Sequence, residues 1–183
     1  MKKAIKWIGI AFVVLIIIGA LNSGGKDNQT ASNNSTDQAP QAEPAKTYAI
    51  NELISSENVE VTVTSVAERD AVGESFMEEK ASEGATLVVV QWQYKNISKE
   101  PLKSYNSPEI KLLDANNVEY GSDLGKTSTY ATEVDLDRKV WSDLNPGITV
   151  KDAAVFEVGK EAFSTDGWYL NIEVDDKDYK VAL

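Results

Sequence analysis

The chain has 183 residues, a formal net charge of -11, and neither Cys nor His; this excludes disulfides, thiol nucleophiles, Cys/His zinc sites and imidazole acid–base chemistry. Five of the 18 Lys and Arg and three of the 29 Asp and Glu precede Thr47, so residues 47–183 carry a net charge of -13. Such a surface repels nucleic-acid phosphate, and no nucleic-acid partner is expected.

The N-terminus opens with Lys2, Lys3 and Lys6, and Trp7–Leu21 (WIGIAFVVLIIIGAL) is continuously apolar or small, with no charge until Lys26. A basic start followed by an apolar run is the pattern of an export signal. The run lies near the lower limit of about 17–25 residues for a membrane-spanning helix. Basic residues before it and none soon after orient the N-terminus inward and everything downstream outward. Residues 1–21 are therefore expected to be an uncleaved signal anchor touching the membrane through residues 7–21, with a cleaved signal peptide as the alternative. Leu21 follows Gly19-Ala20 where bacterial lipoproteins carry Cys, so lipid attachment is excluded. Residues 22–46 (NSGGKDNQTASNNSTDQAPQAEPAK) contain no aromatic residue and no Val, Ile or Leu. That composition cannot bury enough surface to offset ordering entropy, and it predicts a disordered linker.

The domain is expected over 47–183. Tyr48, Ile50 and Leu53 are candidates to pack at its start. Residues 58–66 alternate, with Val59, Val61 and Val63 inward, and Val66 falls out of phase, which predicts a bulge or the strand's end. Residues 67–84 read as a polar loop anchored by Phe76 and Met77. Residues 86–96 (TLVVVQWQYKN) read as the central strand, with Val88, Val90, Trp92 and Tyr94 on the core face. Its other face turns from Leu87 and Val89 to Gln91, Gln93 and Lys95, as in an antiparallel sheet wet on one side.

Residues 109–114 and 118–120 form a hairpin across Ala115-Asn116-Asn117. Residues 121–138 have no clear period, and only Leu124, Tyr130, Val134 and Leu136 look able to pack. Asn145-Pro146-Gly147 is spaced for a type II turn. Residues 150–158 place Val150, Asp152, Ala154, Phe156 and Val158 on one face. Trp168, Leu170, Ile172 and Val174 alternate next, and residues 175–178 turn into a last strand, 179–183. About seven strands and no crossover helix predict an all-β fold, an immunoglobulin-like antiparallel β-sandwich preceded by the hydrophobic helix and linker.

Residues 83–96 (EGATLVVVQWQYKN), with LLDANNVEY, LNPGITVKDAAVFEV and YLNIEV further on, resemble the bacterial DUF4352 domain. The resemblance covers roughly 59–183 and implies an exported immunoglobulin-like domain related to the mycobacterial antigen MPT63. It supplies no catalytic residue.

Asp175, Asp176 and Asp178 share a turn, Asp135 and Asp137 flank Leu136, and Asp114, Asn116 and Glu119 loosely echo a calcium loop without its Gly or distal Glu. Turn chemistry accounts for such residues, and no metal or cofactor is expected. The expected function is a non-catalytic binding module on the bacterial surface, facing a protein or a cell-wall component. The alternative is a secreted carboxylate-dependent hydrolase acting on cell-wall glycans. Tyr130, Arg138, Lys139 and Trp141 are the candidate contact residues. They lie in the stretch of weakest strand periodicity, and Arg138-Lys139 locally reverses the sign of an acidic domain. An anionic partner group is the expected counterpart.

Overall fold

The computed structural model describes residues 46–136, 138 and 142–183. The expected membrane segment 7–21, most of the expected linker, and Asp137, Lys139 and Trp141 lie outside the described residues. Ala42–Leu183 form one compact unit. Among the described residues no helix is long and apolar enough to cross a membrane.

Two sheets pack face to face as a β-sandwich. Strands β1 (Thr47–Tyr48), β2 (Ile54–Ser55), β3 (Val59–Arg69), β4 (Ala71–Val72) and β5 (Glu79–Lys80) lead to the central β6 (Ala85–Asn96). After it come β7 (Glu109–Leu113), β8 (Glu119–Tyr120), helix α1 (Leu124–Glu133), β9 (Thr149–Gly159), β10 (Tyr169–Val174) and β11 (Lys177–Ala182). One sheet has the order β1-β11-β10-β7-β8 and the other β2-β3-β6-β9, with β4-β5 as a separate ribbon. All pairs are antiparallel except β1 with β11, which run parallel.

Period-two patterning decides what is inside. Val88, Val90, Trp92 and Tyr94 of β6, Val59, Val61 and Val63 of β3, and Phe156 of β9 meet Leu112, Leu170 and Ile172 of the facing sheet. The phase change at Val66 is a bulge. Val63 pairs with Trp92 but Ser65 pairs with Gln91, so Thr64 is the extra residue and Val66 regains the inner face against Val90. Strand β3 therefore runs on to Arg69, opposite Leu87, rather than ending at the bulge.

The turns follow their residues. Gly147 has φ +79 and Ile148 N–H donates to Asn145 O at 3.2 Å, a type II turn. Asp175 and Asp176, at φ +51 and +56, join β10 to β11 in a two-residue turn with both φ values positive, as type I′ requires.

Three expectations are corrected. Phe76 and Met77 do not anchor the 67–84 segment: Phe76 is 95% exposed, and fully buried Val72 is the anchor. Gly73 beside it is at φ +86, where an added Cβ would sit 2.4 Å from Met77 O, so the chain turns there only without a side chain. Leu124 does not pack, being 77% exposed. The stretch 121–138 is not wholly irregular, because α1 occupies Leu124–Glu133.

Helix α1 has poor intrinsic propensity, with Gly125, four Thr or Ser and no Leu after its first residue. Its ends and its contacts hold it. Asp123 caps it, accepting from Lys126 N–H at 3.0 Å, and Thr127, Tyr130 and Ala131 form its buried face. That face rests on Leu87, Val89, Ala153 and Val155, making a second, smaller core on the outside of the β6–β9 sheet. The helix also closes the free edge of β9. Val155 N–H donates to Thr127 Oγ1 at 2.9 Å, and Asp123 N–H donates to Val155 O at 2.8 Å. An exposed edge strand would otherwise offer those groups to another chain.

Candidate functional site

The β6 alternation sends Trp92 to the inner face near the open side of the sandwich, where β8 ends one sheet and β9 the other. Across the ladder from Trp92 stands Asp152 of β9, in the inward phase between Val150 and Ala154. A carboxylate at an inward position needs a charged or hydrogen-bonding partner. Arg138, in the chain after α1, supplies one through Nε to Asp152 Oδ1, which also accepts from Ala153 N–H at 2.7 Å.

A cleft of about 350 Å³ opens here. Trp92, Ile110, Tyr120 and Ala154 give it an apolar floor. The Tyr120 ring stacks on Trp168 with centroids 5.2 Å apart and planes 25° apart, which fixes its orientation. The rim carries both signs: Arg138 and Asp152 on one side, Lys111 and Glu119 on the other, with Lys111 Nζ 3.8 Å from Glu119 and from Glu173. Trp92 is 5% exposed, and its indole Nε1 is the one buried side-chain polar atom among the described residues without a hydrogen-bond partner. Two positions along β6, Tyr94 shares the inner face; burial raises its phenol above the ordinary range.

Of the predicted contact residues, Tyr130 and Arg138 are described, and they do not share a site. Tyr130, expected at the surface, is 5% exposed under α1, and its hydroxyl accepts from Gln91 Nε2 at 2.6 Å. Arg138 is half-buried and lines the cleft, where Asp152 neutralises the expected sign reversal in place. Lys139 and Trp141 lie outside the described residues. Trp92, Lys111, Tyr120 and Asp152 were not read from the sequence as site residues. The available signal was Asp152, a carboxylate in the inward phase of an apolar strand.

Two of the acidic residues, Asp114 and Asp175, serve turns. Asp114 Oδ1 accepts from Asn116 N–H and Val118 N–H at 2.8 and 2.9 Å. Asp175 accepts from Asn58 N–H at 2.8 Å and Asn58 Nδ2 at 3.0 Å, tying the last hairpin to the start of β3. Burial pushes the Asp175 carboxyl up, but the Asn58 bonds, with Ser56 and Glu57, bring it below the usual carboxylate range. Among the described residues no group of three Asp or Glu is arranged to hold a metal ion.

Comparison with known proteins is consistent in family and fold. Residues 48–180 match the model of DUF4352, a domain of unknown function. An uncharacterized protein of Bacillus subtilis (strain 168), YxkC, is 47% identical over 135 residues, covering 73% of this chain and 75% of that protein. A conserved hypothetical protein from Bacillus anthracis, solved at 2.2 Å, superposes with TM-score 0.62 at 31% identity, over 74% of this chain and 95% of that one. An uncharacterized β-sandwich protein from Clostridium difficile 630 superposes with TM-score 0.54 at 18% identity, over 79% of this chain and 99% of that one. With the family match spanning residues 48–180, and 47% identity to YxkC over 135 residues, the chain belongs to the DUF4352 family.

Proposed function

We propose that this protein is an exported, membrane-anchored, non-catalytic binding module, an immunoglobulin-like sandwich carried outside the cell, with its ligand seat in the Trp92 cleft. The observation that carries the reading is the unpaired indole N–H of buried Trp92 beside a cleft with an apolar floor. A cleft of about 350 Å³ is at the small end of the usual range of ligand seats, and this one mixes apolar groups with charged ones. Export is supported by the order of Lys2, Lys3, Lys6 and the apolar run 7–21. A non-catalytic role is supported by the absence of Cys and His from the sequence and by the commitment of Asp152 Oδ1 to Arg138 and Ala153.

The test is cosedimentation of the compact unit Ala42–Leu183 with envelopes from cells lacking the protein. Saturable, reversible binding without release of soluble fragments is expected. Release of reducing ends, abolished by substitution of one cleft carboxylate, would replace this reading with a hydrolase. Sedimentation no greater than that of an unrelated acidic domain would end it.

A further inference from the structure

We infer that the Trp92 cleft takes a neutral, polyhydroxylated ligand, a short stretch of glycan, rather than an anion; this rests on the binding-module reading above. Three features converge on that chemistry. The first is charge. The rim ions are already compensated from within the chain, Arg138 by Asp152 and Lys111 by Glu119 and Glu173. An incoming anion would compete with those carboxylates inside a domain of net charge -13. A hydroxyl both donates and accepts, so a polyol can bond to Lys111 and Glu119 together without separating either ion from its partner.

The second feature is the aromatic floor. Tyr120, half-buried and held in plane by Trp168, offers a fixed aromatic surface against which the C–H face of a sugar ring can pack. The third is the unpaired donor. Asp152, the acceptor nearest to Trp92 on the ladder, turns Oδ1 to Arg138 and Ala153. Nε1 is buried and without a partner beside the cleft, so a ligand oxygen that displaces the cleft wall there would satisfy a donor otherwise left unpaired. At about 350 Å³ the cleft falls within the range of small-ligand sites, which suits a short glycan.

The experiment uses isotope-labelled Ala42–Leu183, a compact unit that encloses both cores and contains Trp92, Trp141 and Trp168 as its tryptophans. Their indole N–H resonances are followed while chitotriose, maltotriose, cellotriose or glycerol 3-phosphate is added. Trp92→Phe, which keeps an aromatic ring and removes the donor, assigns the resonance. Saturable movement of the Trp92 resonance by at least one trisaccharide is expected. Chitotriose alone would indicate an acetamido-bearing wall glycan, and maltotriose or cellotriose a plain polysaccharide. Trp92→Phe should weaken binding about tenfold, the equivalent of one lost hydrogen bond. Glu119→Gln, at the exposed rim and away from the core, should weaken it several-fold with an unchanged spectrum, so the assignment remains testable if the Trp92 variant folds poorly. A Trp92 resonance moved by glycerol 3-phosphate and by no sugar would overturn the neutral-ligand assignment while keeping the cleft as a seat. If no probe moves it although the unit sediments with envelopes, the glycan assignment fails and the binding surface lies elsewhere.

Discussion

Glu157 of β9 shows how much one side chain can hold. Lys126 Nζ reaches it at 2.8 Å and Ser82 N–H donates to it at 2.7 Å, so the carboxylate joins α1, β9 and the loop before β6. The Lys126 bond, followed by those from Ser82, lowers its pKa from 4.5 to about 2. A carboxyl whose folded pKa is depressed stabilises the fold fully above its unfolded value. That contribution is lost as pH falls through the folded pKa. We expect denaturant stability to decline between about pH 4.5 and 2, with Glu157→Gln showing a shallower decline by about one proton taken up on unfolding. Equal slopes in the two proteins would place the acid sensitivity in other carboxylates. Asn96 plays a comparable part in a neutral setting. Fully buried at the end of β6, it donates through Nδ2 to Glu100 O and Leu144 O, both at 2.8 Å, and accepts from Ser98. A buried amide with all these bonds made specifies the position of its loops as well as their stability.

At the scale of elements, α1 and β9 stabilise each other. The helix has too little propensity to persist alone, and β9 has an edge that needs covering. Thr127 is the joint: 2% exposed, it accepts from Val155 N–H. Thr127→Val keeps the shape, removes the acceptor and strands a buried N–H, so a loss of about 1–3 kcal/mol in urea unfolding is expected. Thr127→Ser keeps the oxygen and should lose less. Equal losses in the two variants would show that the methyl packing, and not the hydrogen bond, holds the helix to the strand.

For the whole molecule, the charge of -13 on residues 47–183 contrasts with the three Lys that precede the apolar run. The contrast makes a topological prediction, because basic residues are retained on the cytoplasmic side. Protease added to cells stripped of their wall should attack the domain, with detergent lysis adding no further cleavage of it. Full protection of Thr47–Leu183 until lysis would reverse the orientation and remove the export part of the proposal. The acidic surface also bears on the ligand. A domain of this charge is repelled by anionic lipid headgroups and anionic polymers, which favours an uncharged glycan as the counterpart.

The sequence alone determined the sandwich wherever a side chain's own character decides its place. Val59, Val61, Val63, Val88, Val90 and Trp92 lie inside because period-two alternation leaves a strand only two faces. The Asn-Pro-Gly and Asp-Asp turns formed because those residues tolerate the required φ values. The expectation of a membrane segment at residues 7–21 rests on composition alone, and those residues lie outside the described ones. Tertiary structure decided what depends on partners distant in sequence. Helix α1 was illegible because its buried face is carried by Thr127 and Ala131 beside Tyr130, residues that score as neutral until Leu87 and Val155 lie against them. Phe76 stands in solvent and Val72 is buried because the turn at Gly73, which no pattern predicts, aims one outward and the other inward. The cleft depends on the same kind of information. Trp92, Tyr120, Arg138 and Asp152 come from four separate segments, and only the packing of one sheet on the other brings a stacked aromatic, an unpaired N–H and two ion pairs around one hollow.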